Sequence, residues 1–392
     1  MTVQFEERTP SDKSAHADSV NIYPVQDRRT QRLFLNLPAS LYASDSVWIP
    51  PLQLECRHQL SPRNPYFRHA SFRAWIACRD GNPVGRISAQ VDRLHIERYN
   101  DRTGFFGLLE ARDDPEVFQA LFDTAEKWLR DQGMRSVRGP FNLSINEECG
   151  LLVAGFDTPP MIMMGHALPY YPQRIEEQGY SGVQNLLAYR IRSDFAAPRY
   201  LDKMISRFGS RVRLRSLHLP AFDKDLAIIK EIYEDAWSGN WGFIPFTTEE
   251  FAELGKNLKL LVPSEFVCIA EVDGEPAAMM VVFPNLNEAI RDLNGRLLPL
   301  GWLKLLWRLK VTGVKTGRVP LMGVRRRFQD SQLGAALALM MITSLQPSVI
   351  KYGMQEAEMS WILESNKGMR NIIKMLGGEP YKRYRIYQKN IP

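Results

Sequence analysis

The sequence predicts an α/β protein made of two mixed-sheet domains in tandem. The chain has 392 residues, which is more than one hydrophobic core usually organises. A hairpin signature occurs twice, at Asp80-Gly81 and at Asp273-Gly274. Strand and helix signatures alternate in the same order within each half, which is typical of helices packed on a central sheet.

The hairpin signatures are the first sign of an internal repeat. "IACRDGNPVGRISAQV" and "IAEVDGEPAAMMVVF" each place an Asp-Gly turn between two apolar runs, as two-residue β-hairpins do. The turns are 193 residues apart, and Tyr189 and Tyr384, in the strands that close the two halves, are 195 residues apart. Since the matched segments occur in one order at nearly one offset, we interpret them as a duplication. We predict a first domain over 21–193, a second over 194–392, and a disordered polar stretch over 1–20.

The sequence of each half also predicts a strand and then a helix after the hairpin. In the first half, Asp114 is placed to cap a helix that starts at Pro115 and stops near Gly133. In the second half, the strand "VPLMGV" leads into a helix that should begin near Gln332. The apolar positions of that helix are crowded, so we expect most of its surface to be buried.

The composition excludes several classes of protein. Fifty lysine and arginine residues stand against 44 acidic ones, and the net charge of +6 suits an anionic ligand or membrane surface better than nucleic acid. The four cysteines and six histidines show no metal-binding or disulfide spacing, so no metal is predicted. No apolar run reaches the roughly 18 residues of a membrane span, and no signal peptide is recognised. We therefore expect a cytoplasmic protein, and the sequence leaves its oligomeric state open.

The turn from "VPLMGV" into the next helix has the chemistry of an anion site. The first turn of a helix carries backbone N–H groups without intrahelical partners, and the helix dipole favours negative charge there. Arg325, Arg326 and Arg327 add positive charge in front of it. The pattern favours a pyrophosphate.

Residues 329–335, "QDSQLGA", resemble the Q/R-x-x-G-x-G/A loop of the GNAT acyltransferase superfamily. Gln329 matches the first position of that loop and Gly334 its last glycine, while Gln332 replaces the first glycine. With the repeat and with segments such as "GPFNLSINEECG" and "SWILESN", the whole chain is similar to bacterial tandem GNAT proteins. The resemblance implies that acyl-CoA binds at Val324, Arg325, Arg326, Arg327, Gln329, Gln332, Leu333, Gly334, Ala335 and Asn366.

The first half has no such loop. "LEARDDPEVFQ" puts the carboxylates of Glu110, Asp113, Asp114 and Glu116 where phosphates would lie. Since carboxylates repel an anion, we predict that only the second domain binds CoA.

Acyl transfer to an amine needs hydrogen-bond donors for the oxyanion and a base that removes the proton of the amine. The resemblance implies that the backbone around Val324 supplies the donors. Strand alternation in "EAEMSWILESN" makes Glu358 the first candidate for the base, and Glu364 is the second.

The acid that would protonate the leaving thiolate is undecided. The tyrosine that serves this purpose in the superfamily would fall at Ile373 in this chain. The thiolate therefore either leaves unassisted or takes a proton from another tyrosine, such as Tyr352 or Tyr381.

Irregular loops rich in polar and aromatic residues are candidates for the acceptor side of the site, since such loops often line binding sites. Another interpretation is that these side chains only cap loops or fill the core. The candidates occur in the segments "GPFNLSINEECG", "DAWSGNWGFIPF" and "FPNLNEAI". They are Asn142, Ser144, Asn146, Glu147, Trp237, Asn240, Trp241 and Asn285.

Residues 296–315 lengthen the second half with leucine, tryptophan and lysine, and no acidic residue occurs from Leu293 through Phe328. This mixture is typical of a helix in a membrane interface, where basic residues favour an anionic leaflet. It also fits an amphipathic helix packed against the sheet or against a partner. The sequence leaves both interpretations open.

Together these features predict a cytoplasmic, CoA-dependent N-acyltransferase with a long-chain acyl donor or a lipid-like amine acceptor, such as a sphingoid base. A peripheral contact with the inner membrane face through 296–315 would suit such a substrate. One alternative is a Fem-type aminoacyl- or peptidyl-transferase, which would use aminoacyl-tRNA; the lack of a strong basic stripe counts against it. Another is a non-catalytic protein that binds acyl-CoA or docks on membranes.

Overall fold

The computed structural model describes residues 19–198 and 200–392, so the predicted disorder of residues 1–18 lies outside the described residues. The strands are β1 (Asn21–Pro24), β2 (Ala70–Arg79), β3 (Asn82–Asp92), β4 (Thr103–Ala111), β5 (Ser136–Gly139), β6 (Phe141–Asn142), β7 (Glu148–Cys149), β8 (Leu151–Ala154), β9 (Ser181–Arg192), β10 (Val212–Ser216), β11 (Val267–Val272), β12 (Glu275–Pro284), β13 (Thr316–Val324), β14 (Glu356–Leu363) and β15 (Glu379–Asn390). The helices are α1 (Arg28–Leu41), α2 (Gln53–Gln59), α3 (Arg93–Tyr99), α4 (Pro115–Asp131), α5 (Tyr171–Glu177), α6 (Leu201–Phe208), α7 (Phe222–Trp237), α8 (Thr248–Leu261), α9 (Leu286–Ile290), α10 (Gly301–Trp307), α11 (Gln332–Lys351) and α12 (Lys367–Met375).

Thirteen of these strands form one continuous mixed sheet. Its order is β1-β2-β3-β4-β5-β15-β9-β14-β13-β12-β11-β10, and β8 pairs with β15 as well. Neighbouring strands are antiparallel except for two parallel pairs, β4 with β5 and β13 with β14. The predicted α/β fold with a mixed sheet and a repeated strand order is confirmed.

The two halves of the chain exchange their last strands within this sheet. β15, the last strand of the second half, pairs with β5 of the first half, and β9, which closes the first half, pairs with β14 of the second. The side chains follow the strands: Tyr384 and Tyr387 of β15 lie in the core of the first half, and Tyr189 and Ile191 of β9 lie in the core of the second. The domain boundary at residues 193–194 remains a proposal, and it falls between β9 and α6.

The local signals in the sequence are realised as predicted. The central residues of both Asp-Gly turns have positive φ angles, between 50° and 87°, which suits a type I′ turn. Asp114 caps α4 by accepting a hydrogen bond from the Glu116 amide at 3.0 Å. α11 begins at Gln332, and Ser331 is its capping residue.

α11 is the central helix of the second half. Among the described residues it alone is long and apolar enough to cross a membrane by length and composition, but 61% of its most apolar window is buried within the protein. It packs against β11, β12 and β13. The predicted burial of this helix is therefore confirmed, and its apolar character is explained by contact with the sheet.

A buried histidine links the two halves. His69 Nδ1 lies 3.0 Å from Asp92 Oδ1 at the end of β3, and His69 Nε2 lies 3.0 Å from Glu250 Oε1 of α8. Burial alone would lower the pKa of His69, but its hydrogen bonds to the two carboxylates outweigh that effect and raise the pKa to about 9. At neutral pH an imidazolium therefore lies between two carboxylates from different halves.

This contact predicts a loss of stability at alkaline pH. Because the pKa of His69 is higher in the folded than in the unfolded chain, its contribution is fully present below about pH 6.5 and disappears as pH rises through about 9. The contribution lost is on the order of 2–3 kcal/mol. We expect the difference in melting temperature between the natural protein and His69→Gln to be large at acidic pH and small above the folded pKa. A difference that stays constant across this range would contradict the assignment.

Candidate functional site

The parallel strands β13 and β14 pair only over their first residues. Their register runs from Thr316 opposite Glu356 to Val319 opposite Met359, although both strands continue beyond these residues. The strands therefore part and leave a gap in the middle of the sheet. A cavity that is partly open to solvent lies at this gap.

Side chains of both halves line the cavity. The polar groups among them are few, and Asn146, Asn240, Ser360 and Asn366 are the principal ones. A mostly apolar cavity with a small number of polar groups is typical of a site for a small molecule with a large apolar part. The apolar and aromatic lining consists of Ile145, Cys149, Leu186, Tyr233, Trp237, Trp241, Phe243, Val319, Pro320, Met322, Met359, Trp361, Ile362, Leu363, Met369 and Ile386.

Four of the predicted acceptor residues, Asn146, Trp237, Asn240 and Trp241, line the cavity. The side-chain amide of Asn146 donates a hydrogen bond to the carbonyl of Ile244 at 3.0 Å, so it also joins the two halves. The indole N–H of Trp237 donates to a carbonyl of β13 at 3.0 Å. These contacts fix the orientation of both side chains at the cavity wall.

The other four predicted acceptor residues lie outside the cavity lining and hold loops together. Asn142 accepts a hydrogen bond from an amide of β4 at 2.8 Å, and Ser144 accepts one from the amide two residues further on at 3.1 Å. Glu147 accepts a hydrogen bond from Gln59 at 2.7 Å, and the buried Asn285 accepts one from a backbone amide of the first half at 3.1 Å. These contacts fit the interpretation that the four side chains cap loops, and their part in substrate binding stays a prediction.

The corresponding gap in the first half is filled. β4 and β5 are in parallel register over Thr103–Phe105, and beyond it β6 lies against β4. A Cβ on Gly107 would lie 1.8 Å from the carbonyl oxygen of Phe141, so only glycine allows this approach. The four carboxylates predicted to repel phosphates are bonded to tyrosine hydroxyls or to arginines. The filled gap favours the prediction that CoA binds only to the second half, whereas the paired carboxylates do not test it.

The loop between β13 and α11 is closely packed. A Cβ on Gly334 would lie 2.1 Å from the carbonyl oxygen of Phe328, so only glycine lets the loop approach the helix. The Gly334 amide donates to the Ser331 hydroxyl at 3.0 Å. The Gln329 side chain donates to the last turn of α7 at 3.0 Å and to the carbonyl of Val324 at 2.8 Å. Gln329 therefore braces the loop between α7 and β13.

The loop keeps unpaired donors at the start of α11. The amides of Gln332 and Leu333 have no hydrogen-bond partner in the part of the chain that the structure describes. The side chains of Arg326 and Arg327 are exposed beside them. Arg325 is engaged elsewhere, because it donates to a backbone carbonyl and pairs with a glutamate of α7 at 3.2 Å. Two of the three arginines thus remain available to an anion.

Residues from two distant helices complete the surroundings of the loop. Arg207 of α6 donates to the side chain of Gln332 at 2.5 Å and adds a third exposed cation, which the sequence did not predict. Asp235 of α7 accepts a hydrogen bond from the Arg326 amide at 2.7 Å, so that amide is occupied. The Ala335 amide is likewise paired, within its helix. No local signal could have found Arg207 or Asp235, because only the fold brings α6 and α7 to this loop.

The Val324 amide is directed to the gap between β13 and β14. The Arg325 amide donates to the carbonyl of Ala277 on β12 at 2.8 Å, and successive amides of a strand point to opposite edges. The loop and the cavity are neighbours, since the loop is bonded to Ala236 and the next residue, Trp237, lines the cavity. The Val324 amide, the loop between β13 and α11 (called the anion loop after its predicted ligand) and the apolar cavity therefore adjoin one another.

Glu358 lies behind the cavity wall. It is fully buried and opposite Arg318 in the register of β14 and β13, with Arg318 Nε 3.7 Å from the carboxylate. The hydroxyls of Ser360 and Tyr381 both donate to this carboxylate. Ser360 lines the cavity, whereas Glu358 does not. Ser360 therefore both lines the cavity and contacts the predicted base.

Burial shifts the pKa of two groups near Glu358. Burial and the nearby carboxylate raise the pKa of Tyr381 well above its usual value, so Tyr381 stays protonated and donates. Burial lowers the pKa of Lys382 to about 8, and its ammonium donates to the carbonyl of Thr158 at 2.7 Å. Ile373, at the position of the superfamily's acid, is fully buried in the core.

The remaining predicted residues lie around the end of β14. Asn366 lines the cavity and caps α12 by accepting a hydrogen bond from the Met369 amide at 3.0 Å. Glu364 is half-buried, accepts from Asn185 at 2.9 Å and does not line the cavity. Tyr352 donates to a backbone carbonyl at 2.6 Å and is also absent from the lining.

Arg318 and Lys382 belong to this cluster and were missed by sequence reasoning. Arg318 is the one charged residue in the apolar strand "TGRVPLMGV". A lone charge in a buried strand indicates a paired or functional group, so the sequence did contain a signal for Arg318. Lys382 lies in the basic strand "YKRYRIYQK", where nothing distinguishes it from its exposed neighbours.

Two curated bacterial proteins match this chain over nearly its whole length, although no family model matches it. Protein YghO of Escherichia coli (strain K12) is 49% identical over 361 residues, which are 92% of this chain and 93% of that protein. The bacterial ceramide synthase of Caulobacter vibrioides is 47% identical over 379 residues, which are 96% of this chain and 98% of that protein. The chain belongs to the bacterial ceramide synthase family.

Solved structures establish the fold of this family member. A tandem GNAT protein from the clavulanic acid biosynthesis pathway superposes with a TM-score of 0.56 at 14% identity, covering 95% of this chain and 98% of that one. A GCN5-related N-acetyltransferase from Sphaerobacter thermophilus gives a TM-score of 0.55 at 13% identity, covering 95% of both chains. The predicted tandem GNAT fold is confirmed, and this member of the ceramide synthase family is an acyltransferase.

Proposed function

We propose that the protein transfers a long-chain acyl group from acyl-CoA to a lipid-like amine, such as a sphingoid base. The apolar cavity at the gap between β13 and β14 carries this proposal, because it adjoins both the anion loop and the buried carboxylate. The name of one relative, a bacterial ceramide synthase, supports a lipid acceptor, since a ceramide is an N-acylated sphingoid base.

The anion loop is the proposed site for the pyrophosphate of the donor. The unpaired amides of Gln332 and Leu333 and the exposed side chains of Arg326 and Arg327 are suited to an anion at a helix N-terminus. Gly334 and Gln329 hold the loop in place without contacting the ligand in this proposal. Acyl-CoA supplies an activated thioester, whose acyl chain fits the apolar walls of the cavity.

The residues of the cavity suggest how the chain promotes the transfer. The nitrogen of the amine attacks the thioester carbon, and the Val324 amide donates to the oxyanion that forms. The proton lost by the amine passes to the Ser360 hydroxyl while the proton of Ser360 passes to Glu358. The carbon–sulfur bond then breaks and CoA leaves as the thiolate, without an acid at Ile373.

The proposal also concerns where the protein works. We place it in the cytoplasm at the inner face of the membrane, because a long-chain amine resides in the lipid bilayer while acyl-CoA is soluble. The four free cysteines fit a reducing compartment. The contact with the membrane is assigned to residues 296–315.

Thiol release from a panel of acyl-CoA donors and amines tests the function. We expect turnover with a long-chain acyl-CoA and a long-chain amine, with the N-acyl product identified by mass spectrometry, and little turnover with a short polar amine. Binding of acyl-CoA without turnover on any amine would favour a sensor. Transfer from aminoacyl-tRNA but from no acyl-CoA, detected by mass spectrometry of the product, would favour the Fem-type alternative, and either result would overturn the proposal.

A further inference from the structure

Large apolar side chains are exposed together on and around α10. Seven of the sixteen large exposed apolar side chains in the described part of the chain fall between residues 298 and 311, and they are 44% to 79% exposed. Scattered apolar residues are normal on a protein surface, but a contiguous set marks an interaction site. This set, the tryptophan patch, consists of Leu298, Leu300, Trp302, Leu303, Leu306, Trp307 and Val311.

The opposite side of this segment is anchored in the protein. Leu297 and Leu305 pack in a cluster with Ile290 and Leu293. Arg308 donates to a backbone carbonyl at 2.7 Å and pairs with Asp292. Internal packing, one of the two interpretations left open by the sequence, therefore accounts for only one side of the segment. The tryptophan patch remains without a partner among the described residues.

The charges around the tryptophan patch are almost all positive. Lys304 and Lys310 are exposed within it, and Arg296 and Lys315 are exposed at its two ends. Two acids lie beside it: Asp292 pairs with Arg308 and lies 3.7 Å from Lys304, and Glu288 accepts a hydrogen bond from the Lys315 amide at 2.9 Å. A second copy of the chain seated here would bring like charges together, which disfavours a dimer through this patch.

We propose that the tryptophan patch docks on an anionic lipid surface. Leucine and tryptophan side chains enter the interface between headgroups and acyl chains, and lysines beside them are attracted to anionic headgroups. The patch lies next to the start of β13, the anion loop lies at the other end, and the cavity lies along the middle of that strand. We assign docking the purpose of giving the site access to a lipid amine, and this purpose rests on the proposed function. The docking itself does not depend on that function.

Co-sedimentation of the full-length protein with vesicles tests the docking. We expect it to sediment with phosphatidylcholine vesicles that contain phosphatidylglycerol and much less with phosphatidylcholine alone. Trp302→Ser with Trp307→Ser should weaken binding to the anionic vesicles roughly tenfold or more, and Lys304→Glu with Lys310→Glu should do the same. Leu260→Ser with Ile350→Ser is the matched control, since both residues are exposed and lie outside the patch. This control should bind like the natural protein.

Three results would overturn the docking proposal. The first is that the natural protein stays in the supernatant with every vesicle, and the second is that the tryptophan variant sediments as well as the natural protein. The third is that the tryptophan variant has a smaller mass in solution than the natural protein, which would assign the patch to a second copy. Thiol release with the amine dispersed in detergent separates docking from catalysis. If the tryptophan variant releases thiol as fast as the natural protein in detergent, the patch has a docking role. If the natural protein binds vesicles but shows no turnover, that result counts against the proposed function alone.

Discussion

Replacing Ser360 by alanine is expected to slow acyl transfer roughly 100-fold while the fold and the affinity for CoA stay unchanged. Ser360 is the group that connects the cavity with the buried carboxylate of Glu358. Without its hydroxyl, the proton of the amine has no path to the base. The loss should be greatest at low pH, where the fewest amines are already neutral, and thiol release measured against pH checks it.

Glu358→Gln tests the proposed base, which is also the counter-ion of the buried Arg318. The substitution should slow transfer at least as much, and it should also destabilise the protein by about 3–5 kcal/mol, because it leaves Arg318 buried without its counter-ion. Ser360→Ala keeps that ion pair but removes the hydroxyl that accepts a hydrogen bond from Arg318 Nε at 2.9 Å, so we expect a smaller loss of about 1–3 kcal/mol. Ser360→Thr retains a hydroxyl and should recover much of the rate.

A purely structural role for Ser360 predicts a different pattern. In that case the rate would fall no further than the loss of folded protein accounts for, and the pH profile would keep its shape. Full activity in Ser360→Ala would remove the relay from the mechanism, and the proton of the amine would then have to leave by another route.

Reversing two charges at the anion loop is the second large effect we expect. Arg326→Glu with Arg327→Glu should weaken CoA binding roughly 100-fold in calorimetry, because two attractive charges become repulsive beside the pyrophosphate. The difference from the natural protein should shrink at high salt, since both side chains are exposed to solvent.

The matched control carries the same change of charge elsewhere. Arg28 and Arg29 are exposed at the start of α1, in the first half, so Arg28→Glu with Arg29→Glu should leave CoA binding unchanged. Substitution of Gly334 is unsuitable for this test, because any Cβ there would collide with the carbonyl oxygen of Phe328. Equal affinities for CoA in both double variants would refute the assigned loop.

The elements that could be predicted from the sequence are those with local signals. The Asp-Gly turns, the cap at Asp114 and the start of α11 each depend on a few neighbouring residues, and all three were confirmed. The pattern that predicts the anion loop also spans a single turn, and anion binding there stays a prediction. Four of the eight acceptor candidates line the cavity, and the other four close loops with the same residue types.

The site also contains features that no local pattern carries. Arg207 reaches the loop from α6, and Lys382 joins the cluster around Glu358 from β15. Strand alternation made Glu358 a candidate for the base, but it could not show that Ser360 lines the cavity and Glu358 does not. That distinction depends on how far β13 and β14 part, which is a property of the sheet.

By itself, the sequence determined that this protein is an α/β chain of two tandem domains, because periodicity, caps and turns act over a few residues. The tertiary structure alone decided that β9 and β15 change places between the halves, and that the segment around α10 exposes its tryptophans. Both depend on contacts between residues far apart in the chain. Strand pairing and burial are settled by the whole sheet, since the free energy of burying a side chain depends on what the rest of the protein places against it.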